Sequence, residues 1–361
     1  MRYRKINSLL ILSLSMLFIY MVCSSSQQVL AEVVPVSVQA VLPKNQINSD
    51  VTYFDLKMEP SQKQTIEVLL HNSSEEKVNI NTKITSALTN TNGLIDYTLD
   101  NGDEKNYDAS LKYPLTKIAK VKNQVEMAPK EKVKLPITIQ MPTSEYDGMI
   151  LGAICFSPES TSSNTNQNTN NSMQIKTTIE YSIGIVLRET NQKVEPKVNL
   201  IKVNAGQTMG MNVVKASVQN STSTVIEDMV YDAKVYKEKG NKVLFEKKNT
   251  NYRLAPNTNV NYEIPLNDKA FKPGKYRLEL LTKGKNEVDE EKEWRFTEYF
   301  IITKDQAKKL NEKAVNLEEK SNIIYYLIAG LIGIVGVLLL FYWRNKTKKK
   351  VKKRRKRMKN E

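Results

Sequence analysis

Residues 323–343 form a run of 21 residues without a single charge, and this run constrains the chain's topology more than any other feature. As a helix rising about 1.5 Å per residue it spans roughly 31 Å, the thickness of a bilayer's hydrocarbon core. Tyr325, Tyr326, Tyr342 and Trp343 stand at its two ends, where amphipathic rings favour the interface. Gly330, Gly333 and Gly336 recur inside it, but not at the GxxxG spacing of helix pairing. Residues 344–361 hold 12 of the 54 Lys and Arg and only one acid. The positive-inside rule predicts that this basic tail is cytoplasmic and that residues 32–322 face outward.

The other end carries a matching signal. Arg2, Arg4 and Lys5 precede an apolar run from Leu9 to Val22, and Val29-Leu30-Ala31 supplies small side chains for a cut after Ala31. Residues 1–31 read as a signal peptide, the alternative being an uncleaved anchor. A lipoprotein attached through Cys23 is disfavoured, because Tyr20-Met21-Val22 lacks the small residue needed before the cysteine. No LPxTG signal precedes the apolar run, since Leu42-Pro43-Lys44-Asn45-Gln46 lies far from it. The expected state is a single-pass membrane protein, not one linked covalently to a wall.

The formal charge of +15 would suggest a nucleic-acid partner, but it resides at the two ends. The remaining 39 basic and 38 acidic residues nearly cancel. A nucleic-acid binder spreads its cations over a folded face, so that class is excluded. Removal of the leader leaves Cys155 as the lone cysteine, without a disulfide partner. Lying in Met149-Ile150-Leu151-Gly152-Ala153-Ile154-Cys155-Phe156, it reads as a small buried hydrophobe.

Between the ends, apolar residues alternate with polar ones at a period of two, the mark of half-buried strands. Val78, Ile80, Thr82 and Ile84 show it, as do Val133, Leu135, Ile137, Ile139 and Met141. It returns in Met229, Tyr231, Ala233 and Val235, in Tyr276, Leu278 and Leu280, and in Trp294 and Phe296. Turn residues such as Asn72-Ser73-Ser74, Asn92-Gly93 and Pro273-Gly274 separate the runs. The pattern occurs twice. Leu70-His71-Asn72-Ser73-Ser74 is echoed by Val218-Gln219-Asn220-Ser221-Thr222, and Ala128-Pro129-Lys130 by Ala255-Pro256-Asn257.

The fold class expected is an all-β ectodomain of two consecutive immunoglobulin-like β-sandwiches, then a short helical stalk and one transmembrane helix. The expected boundaries are 33–158 and 168–305 for the sandwiches, 306–322 for the stalk, 323–343 for the span and 344–361 for the tail. Residues 160–172 are almost all Ser, Thr and Asn, with nothing to bury. They form the tip of a hairpin between residues 149–156 and 175–187, and its second strand suits either sandwich. Ala307, Leu310, Ala314 and Leu317 recur at helical spacing among charges, which predicts a solvated amphipathic stalk, with a partner helix as the alternative.

Chemistry is sparse. His71 is the one histidine, so triads and Cys/His metal sites lack partners. Asp96, Asp100, Asp103, Glu104 and Asp108 cluster in an insertion of the first sandwich, but follow no EF-hand pattern and read as solvated turns. No catalytic residue, cofactor or metal is expected. Tyr53, Phe54 and Asp55, then Asp96 and Tyr97, then Tyr146 and Asp147 each set an aromatic beside an acid near loops. Tyrosine rings stack on sugars or fill peptide pockets, so these residues, with Trp294, are the candidate contacts, the alternative being that they close the sandwich ends.

These stretches, in order, resemble a known family. Leu42-Pro43-Lys44-Asn45-Gln46, Tyr53-Phe54-Asp55-Leu56, Asn92-Gly93-Leu94-Ile95-Asp96-Tyr97 and Tyr146-Asp147-Gly148-Met149 are similar to the first domain of the WxL-interacting surface proteins of Gram-positive bacteria. Tyr181-Ser182-Ile183-Gly184-Ile185, Pro273-Gly274-Lys275-Tyr276, Trp294-Arg295-Phe296 and Tyr299-Phe300-Ile301-Ile302 resemble the second. The resemblance implies that the first domain binds peptidoglycan, and that the second binds host extracellular proteins and secreted WxL-domain proteins. No Trp-x-Leu occurs in the chain, so the likeness is to the membrane-held partner.

The leading expectation is a non-enzymatic adhesion and assembly protein at the cell membrane. A second is a chaperone-like subunit of fibre assembly that offers the edge of residues 179–187 or 149–156 to a client strand. A third is a wall-glycan hydrolase using Asp96 or Asp103.

Overall fold

The structure is a computed structural model that describes residues 36–100, 102–159, 179–315, 317, 331–340 and 342. The expected signal peptide, the Ser/Thr/Asn-rich insertion and the basic tail lie outside these residues. The chain divides into two compact units, one of residues up to Leu88 with Asp96–Val194, the other of Thr89–Ile95 with everything from Glu195 onward.

In the first unit, β1 (Val36–Val41), β3 (Lys63–Asn72), β9 (Lys132–Gln140) and β7 (Ala119–Lys120) form one sheet in the order β1-β3-β9-β7. The second sheet runs β2-β11-β10-β4-β8, built from β2 (Phe54–Lys57), β4 (Val78–Ser86), β8 (Gln124–Met127), β10 (Ile150–Pro158) and β11 (Tyr181–Arg188). Ile66, Val68, Leu70, Leu135, Ile137 and Ile139 point inward from one sheet to meet Phe54, Leu56, Ile80, Ile154, Phe156 and Ile185 from the other. The result is a sandwich with immunoglobulin-type strand order. A short helix, α1 (Leu115–Ile118), presses Leu115 onto Gly152, where a Cβ would stand 2.6 Å from Leu115 Cδ2 and 2.2 Å from the Thr85 carbonyl oxygen. The small strands β5 (Leu88–Thr89) and β6 (Ile95–Asp96) pair only with each other.

The open question of residues 149–187 has a definite answer. β11 pairs with β10 from Ile150↔Leu187 to Phe156↔Tyr181, and runs parallel to β2 from Ile185↔Phe54 to Arg188↔Lys57. It is a strand of the first unit. The cause is the apolar run Ile183–Leu187, which completes the first core. The expectation of a free edge is corrected by these ladders at residues 152–156 and 185–187, whereas residues 181–184 pair on one side only, with β10. β10 lies between β11 and β4, and β11 between β10 and β2.

The second unit has sheets β12-β13-β16 and β15-β14-β17-β18. Their strands are β12 (Val198–Thr208), β13 (Met211–Asn220), β14 (Ile226–Lys237), β15 (Phe245–Leu254), β16 (Thr258–Pro265), β17 (Gly274–Lys285) and β18 (Glu291–Ile302). Met229, Tyr231, Ala233 and Val235 are wholly buried in the alternation read from the sequence. Tyr231 stacks on Tyr262 of the facing sheet at 4.7 Å between ring centroids. At the start of β17 the Tyr276 hydroxyl donates 2.6 Å to the Lys272 carbonyl, the tyrosine corner of immunoglobulin-like sandwiches.

The echo between the two halves is structural. Asn72 ends β3 and Asn220 ends β13, and both are wholly buried. Asn72 Nδ2 donates to the Glu76 carbonyl at 2.7 Å and the Ala128 carbonyl at 2.9 Å. Asn220 Nδ2 donates to the Thr224 carbonyl at 2.7 Å and the Ala255 carbonyl at 3.0 Å. Each Oδ1 accepts from the backbone and hydroxyl of the residue two further on, Ser74 or Thr222. The third residue of each Ala-Pro turn, Lys130 or Asn257, has positive φ.

The expected stalk is corrected over α2 (Lys304–Lys313). Thr303 caps it, its hydroxyl accepting from the Gln306 N–H at 3.1 Å, which is worth about 1 kcal/mol. Ala307 is buried, and Leu310 packs on the core of the second unit. Asn311 accepts from the Phe271 N–H at 2.8 Å and donates to its carbonyl at 3.0 Å. The apolar stripe thus covers the sandwich instead of standing in solvent. Residues 331–340 are helical, with Leu340 72% exposed. Among the described residues no helix is long and apolar enough to cross a membrane, and the rest of the expected span apart from residue 342 lies outside them.

Candidate functional site

The site follows from the parallel register of β2 against β11. Phe54 and Leu56 point into the core at zero exposure, which leaves Tyr53 and Asp55 on the outer face. Phe54 is therefore a core residue and not the contact expected of it. Tyr53, 39% exposed, lies beside Gly184, and Tyr97 reaches the same glycine from the insertion. A Cβ at Gly184 would stand 3.6 Å from Tyr53 Cβ and 3.8 Å from the Tyr97 hydroxyl. Two of the candidate rings thus converge on a floor with no side chain. A glycine inside a strand marks such a close approach, and it is the signal that sequence reasoning passed over.

Neighbouring groups define the surroundings. Asp55 pairs with Arg188 at 3.4 Å, and both are largely buried at the side chain. Cys155 lies on the same face, 3.3 Å from Ser182 Oγ and 3.5 Å from Thr85 Oγ1. Burial pushes its thiol pKa upward against those two hydrogen bonds, so it stays protonated and unreactive. Further along the sheet, Asn79, Asn81 and Gln124 each donate to the Glu159 carboxylate at 3.1–3.2 Å. These amides form a polar group that the sequence did not single out.

The other candidates serve elsewhere. Asp96 Oδ1 accepts from the Thr98 N–H at 2.8 Å. Asp100 accepts from the Ser86 N–H at 2.6 Å and from the Tyr107 hydroxyl, Asp103 caps the Glu104–Asn106 turn, and Asp108 accepts from Ser110. The four aspartates of that cluster each accept from a local turn, and Glu104 pairs with Lys117 at 2.7 Å. Among the described residues no group of three or more His, Cys, Asp or Glu could hold a metal ion. Tyr146 packs edge-on against Tyr113 at 5.2 Å, and its N–H donates to Glu189 at 2.7 Å. Burial raises the Glu189 pKa, opposed by that bond. Asp147 accepts from Thr190 at 2.6 Å. Trp294, half-buried, packs on the core of the second unit.

Two immunoglobulin-like sandwiches in tandem, the first with a tyrosine pair on an outer sheet face, define an all-β two-module protein. The family comparison makes this specific: the model described as WxL Interacting Protein, peptidoglycan binding domain, matches residues 36–158, and WxL Interacting Protein, host binding domain, matches residues 170–312. The chain belongs to the WxL Interacting Protein family. No curated protein matches it.

Solved structures show distant likeness. The E. coli chaperone DraB is 13% identical, with 72% of this chain and 96% of that chain covered and a TM-score of 0.27. The Salmonella enterica SafA pilin in complex with the SafB chaperone gives 9% identity, 75% and 98% coverage and a TM-score of 0.29. The PapD-like domain of human CEP192 gives 8%, 44%, 88% and 0.27. At these scores the likenesses carry no argument.

Proposed function

We propose that this chain is a membrane-anchored adhesion and assembly protein of the Gram-positive cell surface. Its first unit binds peptidoglycan, and its second engages secreted WxL-domain proteins and host extracellular proteins. The observation that carries the reading is the convergence of Tyr53 and Tyr97, both within the residues matched by the peptidoglycan-binding family model, on Gly184 of β11 in the same unit. Two phenol rings beside a side-chain-free floor suit the apolar face of a sugar ring. Further along the same sheet, the amides of Asn79, Asn81 and Gln124 suit hydroxyl and acetamido groups, which are neutral donors and acceptors.

Membrane anchoring is supported by the uncharged run at residues 323–343, by the basic residues after it, and by the exposed apolar helix at 331–340. Holding the first unit near the wall raises its effective concentration, so weak single-site affinity is enough for retention. The acids read as hydrolase candidates are engaged as turn caps, which favours binding without turnover.

The test is retention of the detergent-solubilised chain on insoluble peptidoglycan and, separately, on an immobilised WxL-domain protein. Binding to both is expected. Loss of peptidoglycan retention with WxL binding intact would reject the glycan face alone, and retention on neither would reject the adhesion role.

A further inference from the structure

The β12–β13 hairpin turns through Met209 and Gly210, with Thr208 paired directly to Met211. Both turn residues have positive φ, 49° and 75°, the type I′ geometry whose favoured pair is Asn-Gly. A methionine at the first position bears the left-handed crowding of Cβ against carbonyl, without the short polar side chain that offsets it in Asn. Nothing in its own fold compensates, since Met209 is 91% exposed and Met211 51%. An apolar residue held in a disfavoured conformation, burying nothing, points to a contact outside the folded unit.

Its neighbours indicate which contact. The Val315 N–H donates 2.9 Å to the Gly210 carbonyl, and Val315 is itself 62% exposed. Gln207 and Asn212, on either side of the turn, hold α2 through the Leu310 carbonyl at 2.6 Å and Asn311 Oδ1 at 3.0 Å. The hairpin tip is thus fastened where the chain leaves the sandwich for its apolar C-terminal run. Only seven residues separate Val315 from Ile323, a reach of at most about 29 Å. Exposed Lys309 and Lys313 lie on the last turns of α2, with Glu312 the acid among them.

We infer that the Met209–Met211 tip enters the headgroup–acyl boundary of the bilayer that holds the chain's own C-terminal run, with Lys309 and Lys313 toward anionic headgroups. This rests on the membrane anchoring proposed above. Methionine suits the role, because its unbranched thioether adapts to an irregular apolar surface.

The test uses the full chain carrying Cys23→Ser, reconstituted in vesicles of phosphatidylcholine and phosphatidylglycerol, with an environment-sensitive fluorophore on Met209→Cys. Met211→Cys is a second probe, and Ile201→Cys, 49% exposed on β12, is the reference in water. The expected result is co-flotation with vesicles and loss of emission at 209 and 211, but not at 201, when a lipid-borne quencher is included. Co-flotation without quenching at 209 and 211 overturns the tip contact and leaves anchoring intact. Self-quenching between probes without lipid quenching means that a second copy covers the tip, and also overturns it. A chain that does not float overturns anchoring and the tip contact together. Met209→Asn, which restores the favoured turn pair, should melt at higher temperature, and a lower one would refute the strain premise.

Discussion

Asn72 and Asn220 make the same hydrogen bonds at the same position of two different sandwiches. Each amide ties the loop that follows it to the Ala-Pro turn, so one buried side chain joins two connections. Ala at either position leaves two carbonyls without their donor. The expected cost is about 2–4 kcal/mol at Asn220, where both lost bonds orphan buried acceptors, and smaller at Asn72, whose two bonds are only part-buried. Asp is isosteric but replaces the donor with an acceptor facing carbonyls, and should be at least as harmful. Urea unfolding of the variants measures this, and a change below the error of extrapolation would refute it.

The phenol of Tyr231 is wholly buried, and its hydroxyl has no hydrogen-bond partner. Tyr231→Phe should therefore stabilise the protein by about 1 kcal/mol, while keeping the stack on Tyr262. Burial pushes the Tyr231 pKa far above its ordinary value, and Tyr262 is raised for the same reason. A raised phenol stays neutral in the folded chain, while the unfolded one ionises above about pH 10. Stability is thus fully present below that pH and falls as pH rises from there toward the folded value. The Phe variant should lose less stability per pH unit in alkaline melts. An identical alkaline slope would contradict the assignment.

Gly152 has no room for a side chain. A Cβ would meet the Thr85 carbonyl oxygen at 2.2 Å, and backbone cannot swing aside as a flexible side-chain end can. Gly152→Ala should cost about 2–3 kcal/mol through forced separation of β4 and β10. Adding Leu115→Ala relieves only the 2.6 Å contact with the leucine, so the double variant should not recover. Thermal melts decide it, recovery being the contrary result.

Much of this architecture was legible because alternation has one physical meaning when one face is buried. Met229, Tyr231, Ala233 and Val235 went inward as a set for that reason. The repeated Asn and Ala-Pro segments were visible as an echo, but pairwise identity does not reveal that the asparagine amide reaches the Ala carbonyl. The run around Cys155 looked like a free edge because it is apolar on both faces. It is a central strand whose outer side is covered, with the thiol 3.9 Å from the Tyr97 carbonyl. Phe54 was misread because Tyr53 and Phe54 are adjacent, and only the pairing register decides which of two neighbours faces out. The helical stripe of Ala307 and Leu310 was correctly periodic, but periodicity does not name the surface it covers.

The tyrosine pair makes the sharpest demand on the proposed glycan face. A Cβ at Gly184 falls at ordinary contact distance from both rings, so Gly184→Ala should fold normally. A larger side chain would occupy the floor between Tyr53 and Tyr97, and Gly184→Val should weaken retention on peptidoglycan. Tyr53, partly exposed just before the edge strand β2, can be truncated with little effect on the core. Removing one stacking ring should cost roughly 1 kcal/mol of binding, or about a fivefold loss of affinity. Tyr53→Phe, which keeps the ring, should retain most of it. Binding isotherms on insoluble peptidoglycan, read beside melting curves, separate loss of contact from loss of fold. If Tyr53→Ala and Gly184→Val both bind like the parent chain, the glycan lies on another face of the first unit.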